Sequence, residues 1–182
     1  MPYEPPPHLA GLTLAQIAEQ VAARKLPPVE GWAPTSEGDS RMEILPDGTW
    51  LHDGGPIRRE AMVRAFAGLL MRDDDGEHWL VTPYEKLRIA VADAALVAVD
   101  AARVEGDIAV RLNTDELLVV GHDHPLRVAG TVEQPAAYVA VRRGIEARLN
   151  RSTWLQLVDI ALAEGDGAHV TSKGESYPLT AA

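Results

Sequence analysis

Apolar and polar positions follow two periods along this chain, and each change of period marks an element. Thr13-Leu14-Ala15-Gln16 has the form of a capping box, and Leu14, Ile17 and Val21 then fall on one face of a predicted first helix. Pro27-Pro28 ends it, because proline removes a backbone donor and restrains the residue before it. Trp32 follows in a linker that runs over 34–40. Pro46-Asp47-Gly48 is turn chemistry between Ile44-Leu45 and Thr49-Trp50-Leu51, so residues 42–51 read as a hairpin. Past Asp53-Gly54-Gly55, Pro56 introduces a helix over 58–72 with Met62, Val63, Phe66, Leu69 and Leu70 in one stripe. Asp73-Asp74-Asp75-Gly76 turns the chain into a strand at 78–82. From 86 to 128 the period is two, and short polar turns between short strands predict an antiparallel meander. Gln134-Pro135 introduces a third helix over 136–150, with Tyr138, Val141, Ile145 and Leu149 on a stripe. The apolar run 154–162 reads as a strand, Glu164-Gly165-Asp166-Gly167 as a turn, and 168–171 and 176–179 as closing strands.

These elements repeat. Pro56 and Pro135 lead at matching offsets to Met62 and Val141, then to Phe66 and Ile145, and each helix is followed by a tryptophan, Trp79 or Trp154. The prediction is an α+β protein of two tightly packed α+β units with a repeated strand-helix-strand motif and mainly antiparallel sheets. Residues 1–40 form an N-terminal arm, helix and linker, 41–92 the first unit and 93–182 the second. The first residues, through 12, read as an extended proline-rich arm.

Composition narrows the setting more than the activity. With 46% apolar and 24% charged residues the chain has the make-up of a globular domain. It contains no cysteine, which excludes disulfides, thiolate metal sites and cysteine nucleophiles and fits a cytoplasmic location. The first residues lack a basic region followed by an apolar run, so no secretory leader is expected. The most apolar stretch, 94–99, is too short to cross a bilayer. A net charge of -10 disfavours nucleic acid and anionic membranes as partners. Against that acidity, arginines cluster at Arg58, Arg59, Arg64 and Arg72, and again at Arg142, Arg143, Arg148 and Arg151. They read either as solvated helix faces or as an anion-binding surface where two helices converge.

Most chemical motifs are missing. There is no phosphate loop, dinucleotide fingerprint or nucleophile elbow, so no cofactor and no catalytic residue is predicted. His122-Asp123-His124-Pro125 lacks a third ligand and reads as an exposed loop, and the Asp73–Gly76 run lacks the alternation of a calcium loop, so no metal is predicted. Ser172-Lys173-Gly174 reads as a turn. Arg59 stands out, since a cation at a helix start works against the macrodipole unless it has a partner. A carboxylate such as Glu85, or a bound anion, would supply one.

Several motifs carry a family resemblance. Asp47-Gly48-Thr49-Trp50, Gly55-Pro56-Ile57-x-Arg59, Phe66-x-x-Leu69-Leu70 and Trp79-Leu80-Val81-Thr82-Pro83-x-Glu85-Lys86 resemble a proteobacterial family catalogued only as a domain of unknown function. Asn113, His124-Pro125-Leu126, Tyr138-Val139-x-Val141-Arg142 and Ser172-x-Gly174 resemble its later motifs, while Ala95-Leu96 stands where the family has proline-phenylalanine. The resemblance implies a compact pair of α+β units with a repeated motif, leaves the activity open, and suggests signalling or ligand sensing.

The expectation is therefore a cytoplasmic small-ligand-binding or signal-transduction module. Its ligand would be a small anion and its site Trp50, Arg59, Thr82, Glu85, Lys86 and Arg142. The alternatives are a protein-interaction or homo-oligomer-forming module, or an enzyme using acid-base chemistry at Glu85 and Lys86.

Overall fold

The computed structural model describes residues 8–165 and 167–181. They fall into two compact units, one holding 8–24, 98–139 and the described part of 149–181, the other Lys25–Val97 with Ala140–Arg148. Residues 1–7 of the predicted arm, and Asp166 in the predicted turn, lie outside the described residues. The described end of the arm is not extended: Leu9–Gly11 forms a 3-10 turn with Leu9 fully buried.

The first unit to consider is Lys25–Val97 with Ala140–Arg148. Its sheet contains β1 (Ser36–Ile44), β2 (Trp50–His52), β3 (Gly55–Pro56), β4 (Leu70–Arg72), β5 (His78–Val81) and β6 (Glu85–Val91), in the order β3-β2-β1-β6-β5-β4. β1 pairs antiparallel with β2 through the predicted Asp47-Gly48 turn, where Gly48 takes φ 89 and Asp47 accepts the Thr49 N–H at 2.9 Å. β1 and β6 run parallel in the centre; the intervening hairpins and helix supply the long crossover that a parallel pair needs. β4 pairs with β5 and β5 with β6, both antiparallel.

The helix of this unit, α2 (Glu60–Ala67), is shorter than its apolar stripe predicts. Gly68 ends it, and Leu69 and Leu70 are drawn into the sheet by the Val81 N–H donating to Leu69 O at 3.0 Å. Pairing with β5 outweighs helix periodicity here, since Leu70 is fully buried opposite Leu80.

In the second unit, α1 (Leu14–Ala23) carries the predicted capping box: Thr13 Oγ1 accepts the Gln16 N–H at 3.1 Å and Gln16 accepts the Thr13 N–H at 2.8 Å. A second sheet, most of whose strands lie in this unit, comprises β7 (Leu96–Val104), β8 (Asp107–Leu112), β9 (Leu117–Val119), β10 (Leu126–Gly130), β11 (Pro135–Arg142) and β12 (Ile145–Leu149). Its order, β9-β8-β7-β12-β11-β10, is that of the first sheet strand for strand. The repeat is real, but its register differs from the one predicted: β1 corresponds to β7 and β6 to β12. The predicted meander over 86–128 is accordingly split, with β6 in one sheet and β7 to β10 in the other.

Two predicted elements exchange identity. Residues 136–150, expected as a helix, are the β11–β12 hairpin, turned by Arg143 and Gly144 with φ 49 and 76. Both φ values are positive, as a two-residue hairpin loop matched to strand twist requires. Residues 154–162, expected as a strand, lie in α3 (Arg151–Glu164), which Asn150 caps by accepting the Thr153 N–H at 2.9 Å. Thr153, Leu157 and Ala161 form its buried stripe. Gln156 on α3 also serves an irregular point of β7, accepting the Ala101 N–H at 3.0 Å and donating to Asp100 at 2.9 Å.

β13 (His169–Ser172) and β14 (Glu175–Pro178) form the closing hairpin as predicted. Burial of Tyr177 and its 2.6 Å bond to the Glu175 carboxylate push the phenol pKa up to about 12 from 10.0. A folded pKa above the unfolded value means stability that is complete below pH 10.0 and is lost as pH rises through about 12. Tyr177→Phe is expected to flatten this alkaline limb in urea unfolding followed from pH 9.5 upward; an unchanged limb would assign it to other groups. Among the described residues, no helix is long and apolar enough to cross a membrane.

Candidate functional site

All six sequence-selected residues lie in the unit of the first sheet. Trp50 starts β2 and is 1% exposed, its ring stacked on Phe66 of α2 at 6.3 Å between centroids and 17° between planes. Among the described residues the indole N–H of Trp50 has no acceptor. A buried donor left unmade costs about 1–3 kcal/mol in proteins, so this orphan is unusual.

Arg59 is one step outside the helix, not inside it. It is the N-cap of α2, with φ -83 and ψ 104, and no side chain caps the first turn. The chain reaches this point pinned by the Ile57 N–H, which donates to Trp50 O at 2.8 Å. Arg58 and Arg59 are both exposed, and neither has an ion pair among the described residues. The first-turn acid, Glu60, sits 3.7 Å from Arg64 one turn on. α2 therefore presents uncapped N–H groups beside two arginines without carboxylate partners.

Thr82 and Glu85 form one turn. Thr82 Oγ1 accepts the Tyr84 and Glu85 N–H groups at 3.3 and 3.1 Å and donates to Glu85 O at 3.0 Å, while the Thr82 N–H donates to the same oxygen at 2.9 Å. Glu85 is exposed and makes no ion pair with Arg59. The two residues thus do not form a closed ion pair. Lys86 is engaged elsewhere: its ammonium lies 2.8 Å from Glu37 and 4.2 Å from the centroid of Trp79. Arg88 flanks the same ring at 5.2 Å and approaches Glu77 at 3.5 Å. Trp79 donates its indole N–H to Asp73 at 2.8 Å. That bond, with the N–H groups of Glu77 and Asp75 assisting against desolvation, holds the Asp73 carboxyl below its usual range. Thr82 and Lys86 are consumed by structure.

Arg142 is as well. It lies on β11, with Nη2 donating to Ala67 O at the end of α2 at 3.1 Å. Its neighbour Arg143, one of the arginines expected on a solvated helix face or an anion-binding surface, is a buried and multiply bonded cation of this unit. With a side chain 4% exposed it donates to Pro27 O at 2.6 Å, Gly68 O at 2.8 Å, Leu70 O at 3.5 Å and Glu30 at 2.7 Å. The hydrogen bond from Arg143 is the main cause that lowers the Glu30 carboxyl pKa. Two arginines thus complement the carbonyl end of α2. The predicted convergence of two arginine-bearing helices does not occur, because this second cluster sits mostly on a hairpin.

Ser172 is also structural, accepting the Ile108 N–H at 2.9 Å and donating to Val120 O at 2.7 Å. Among the described residues no group of three or more His, Asp or Glu is placed to hold a metal ion.

Two sheets of one strand order, each built from two three-stranded antiparallel runs, define a tandem α+β protein with a helix inserted between strands three and four of the first. Residues 27–94 match the model for the N-terminal domain of the domain of unknown function DUF1285, and residues 94–179 match the C-terminal domain of the same protein family. The chain belongs to the DUF1285 family. It is similar to a solved DUF1285 family protein from Silicibacter pomeroyi DSS-3, with 32% identity, a TM-score of 0.77, and coverage of 92% of this chain and 94% of that one. A second similar structure, a DUF1285 family protein from Shewanella baltica OS155, is 27% identical with a TM-score of 0.54, covering 65% of this chain and 90% of the other. No curated protein matches the chain.

Proposed function

We propose that this protein is a small-ligand-binding module, acting in signal transduction, whose ligand is a small anion received at the start of α2. The observation that carries the reading is Arg59 at an uncapped helix N-terminus with no carboxylate partner. Of the two partners that could offset a cation there, a carboxylate or an anion, the first is absent among the described residues. Trp50 adds a second orphan donor in the same unit, its ring packed against Phe66 in the last turn of that helix. The predicted site thereby contracts to Trp50 and Arg59, joined by Arg58, while Thr82, Lys86 and Arg142 support the scaffold. A cytoplasmic setting belongs to the same proposal and rests on the cysteine-free sequence.

Thermal unfolding against inorganic phosphate, sulfate, dicarboxylates and nucleotides tests it. A ligand present at about 100 times its Kd stabilises by about 2.7 kcal/mol. The expected result is saturable stabilisation by at least one anion, lost in Arg59→Ala; equal stabilisation of both proteins, or of neither, would overturn it.

A protein-interaction role is the second reading, favoured by Tyr84. This residue is 82% exposed at the tip of the hydrogen-bonded Thr82–Glu85 turn, and exposed aromatics on fixed turns suit docking contacts. Acid-base chemistry at Glu85 and Lys86 has less support. Adjacent strand residues point to opposite faces, and Lys86 is held by Glu37.

A further inference from the structure

α3 is apolar on more than the face it buries. Thr153, Leu157 and Ala161 form the buried stripe. A second stripe lies outside it: Leu155 and Leu162 are 50% and 59% exposed, and Trp154 and Val158 beside them are half-buried. No other described helix or strand carries two large apolar side chains this open. Single exposed apolar residues are ordinary on a protein surface, but a helix apolar beyond its buried stripe is short of a partner. Arg151, Leu155, Val158 and Leu162 follow one another at intervals of four, three and four residues, the spacing of a helix–helix seam.

The charges along α3 are open as well. Arg151 stands in its first turn, where a cation opposes the macrodipole and no acid offsets it, and no basic residue stands in its last turn. Neither Arg151 nor Asp159 has an ion pair among the described residues. Glu164, the other acid of the helix, is turned to Arg103 of its own chain.

We propose that this outer stripe docks on the same stripe of a second copy of the chain, with the two α3 helices antiparallel about a two-fold axis that passes between Leu155 and Val158. In that register Leu155 faces the partner's Val158, and Leu162 faces the aliphatic stem of the partner's Arg151. Arg151 then lies within one helical turn of the partner's Asp159 and beside the carbonyl end of the partner's helix, which has no cation of its own. The two charges that one chain leaves open meet across the axis, and the two-fold makes the pairing twice. Charge complementarity therefore favours a second copy over an apolar segment that would cover the leucines alone. The contact is one helix pair, short of the about 1,200 Å² of a stable interface, so association is weak, with a Kd of about 100 μM.

The test is sedimentation equilibrium of the full chain from about 10 μM to about 1 mM, with circular dichroism showing that each variant is folded. The expected result for the wild type is a reversible monomer–dimer equilibrium. Leu155→Glu leaves the buried stripe of α3 intact and is expected to weaken the dimer at least about tenfold, since it puts a charge into an apolar seam. Arg151→Asp and Asp159→Arg each place like charges across the axis and are expected to weaken it about fivefold through two symmetric pairs. The double exchange, Arg151→Asp with Asp159→Arg, is expected to restore the wild-type affinity. Monomer up to about 1 mM would assign the stripe to a different partner and overturn the inference. A dimer that Leu155→Glu leaves intact, or one that the double exchange fails to restore, would overturn it equally. None of these outcomes depends on anion binding at α2.

Discussion

Arg143→Ala is expected to destabilise the protein by about 3 kcal/mol or more, because it strands partners of a buried cation rather than removing a surface contact. The Arg143 side chain is 4% exposed and donates to three backbone carbonyls as well as to Glu30. Glu30 is 64% exposed, so the carbonyl bonds carry most of the effect. Lysine is not expected to rescue, since one ammonium cannot reproduce a planar fork directed at separate acceptors. Arg143→Gly separates side chain from backbone: at φ 49 glycine relieves a left-handed cost of about 1 kcal/mol that alanine retains. Urea unfolding should therefore rank wild type first, glycine second and alanine last. The same series predicts a pH effect. The Glu30 carboxyl lies below its usual 4.5, so its contribution is complete above that pH and is lost as pH falls through the folded value. Arg143→Ala should shrink this acid limb, leaving only the part due to the Glu30 backbone N–H and Arg142.

The second large effect is at Trp50. Trp50→Ala deletes a side chain 1% exposed that stacks on Phe66, and is expected to cost about 3–5 kcal/mol. Trp50→Phe should cost far less, within about 1 kcal/mol, because it keeps an aromatic on Phe66 while removing an N–H that no described residue accepts. Denaturant midpoints measured without added anions distinguish the two. Equal losses for Ala and Phe would mean that the indole N–H has an acceptor, and would remove one support for the proposed site.

What the sequence made legible follows from where local signals and tertiary pairing agree. Thr13 with Gln16, Asp47-Gly48 and the 169–178 hairpin each contain their own explanation, and each forms. The exchange of helix and strand over 136–162 has a clear cause. Tyr138, Val141, Ile145 and Leu149 fit a helical stripe, but Tyr138-Val139-Ala140-Val141 is equally β-forming, and a two-residue turn at Arg143-Gly144 carries no Asn-Gly or Asp-Gly signature. Asn150, three residues before Thr153, was the available sign that a helix follows. The repeat was visible as a principle but not in its register, because α2 is an insertion in one copy that the other replaces with a short turn containing the Gly121–His124 bridge. At the site, sequence picked out Arg59 from the macrodipole alone. It could not foresee that Lys86 would be taken by Glu37 and Trp79, or that Arg143 would close on Pro27 and Gly68, since those partners lie far away in the chain.

The proposed function requires that the start of α2 receive an anion. Its most direct test is amide-detected NMR of the intact protein titrated with inorganic phosphate and, separately, sulfate. The expected result is saturable shifts at the N–H groups of Glu60 and Ala61, with loss of those shifts in Arg59→Ala. Linear drifts without saturation, or saturable shifts confined to another part of the chain, would contradict it.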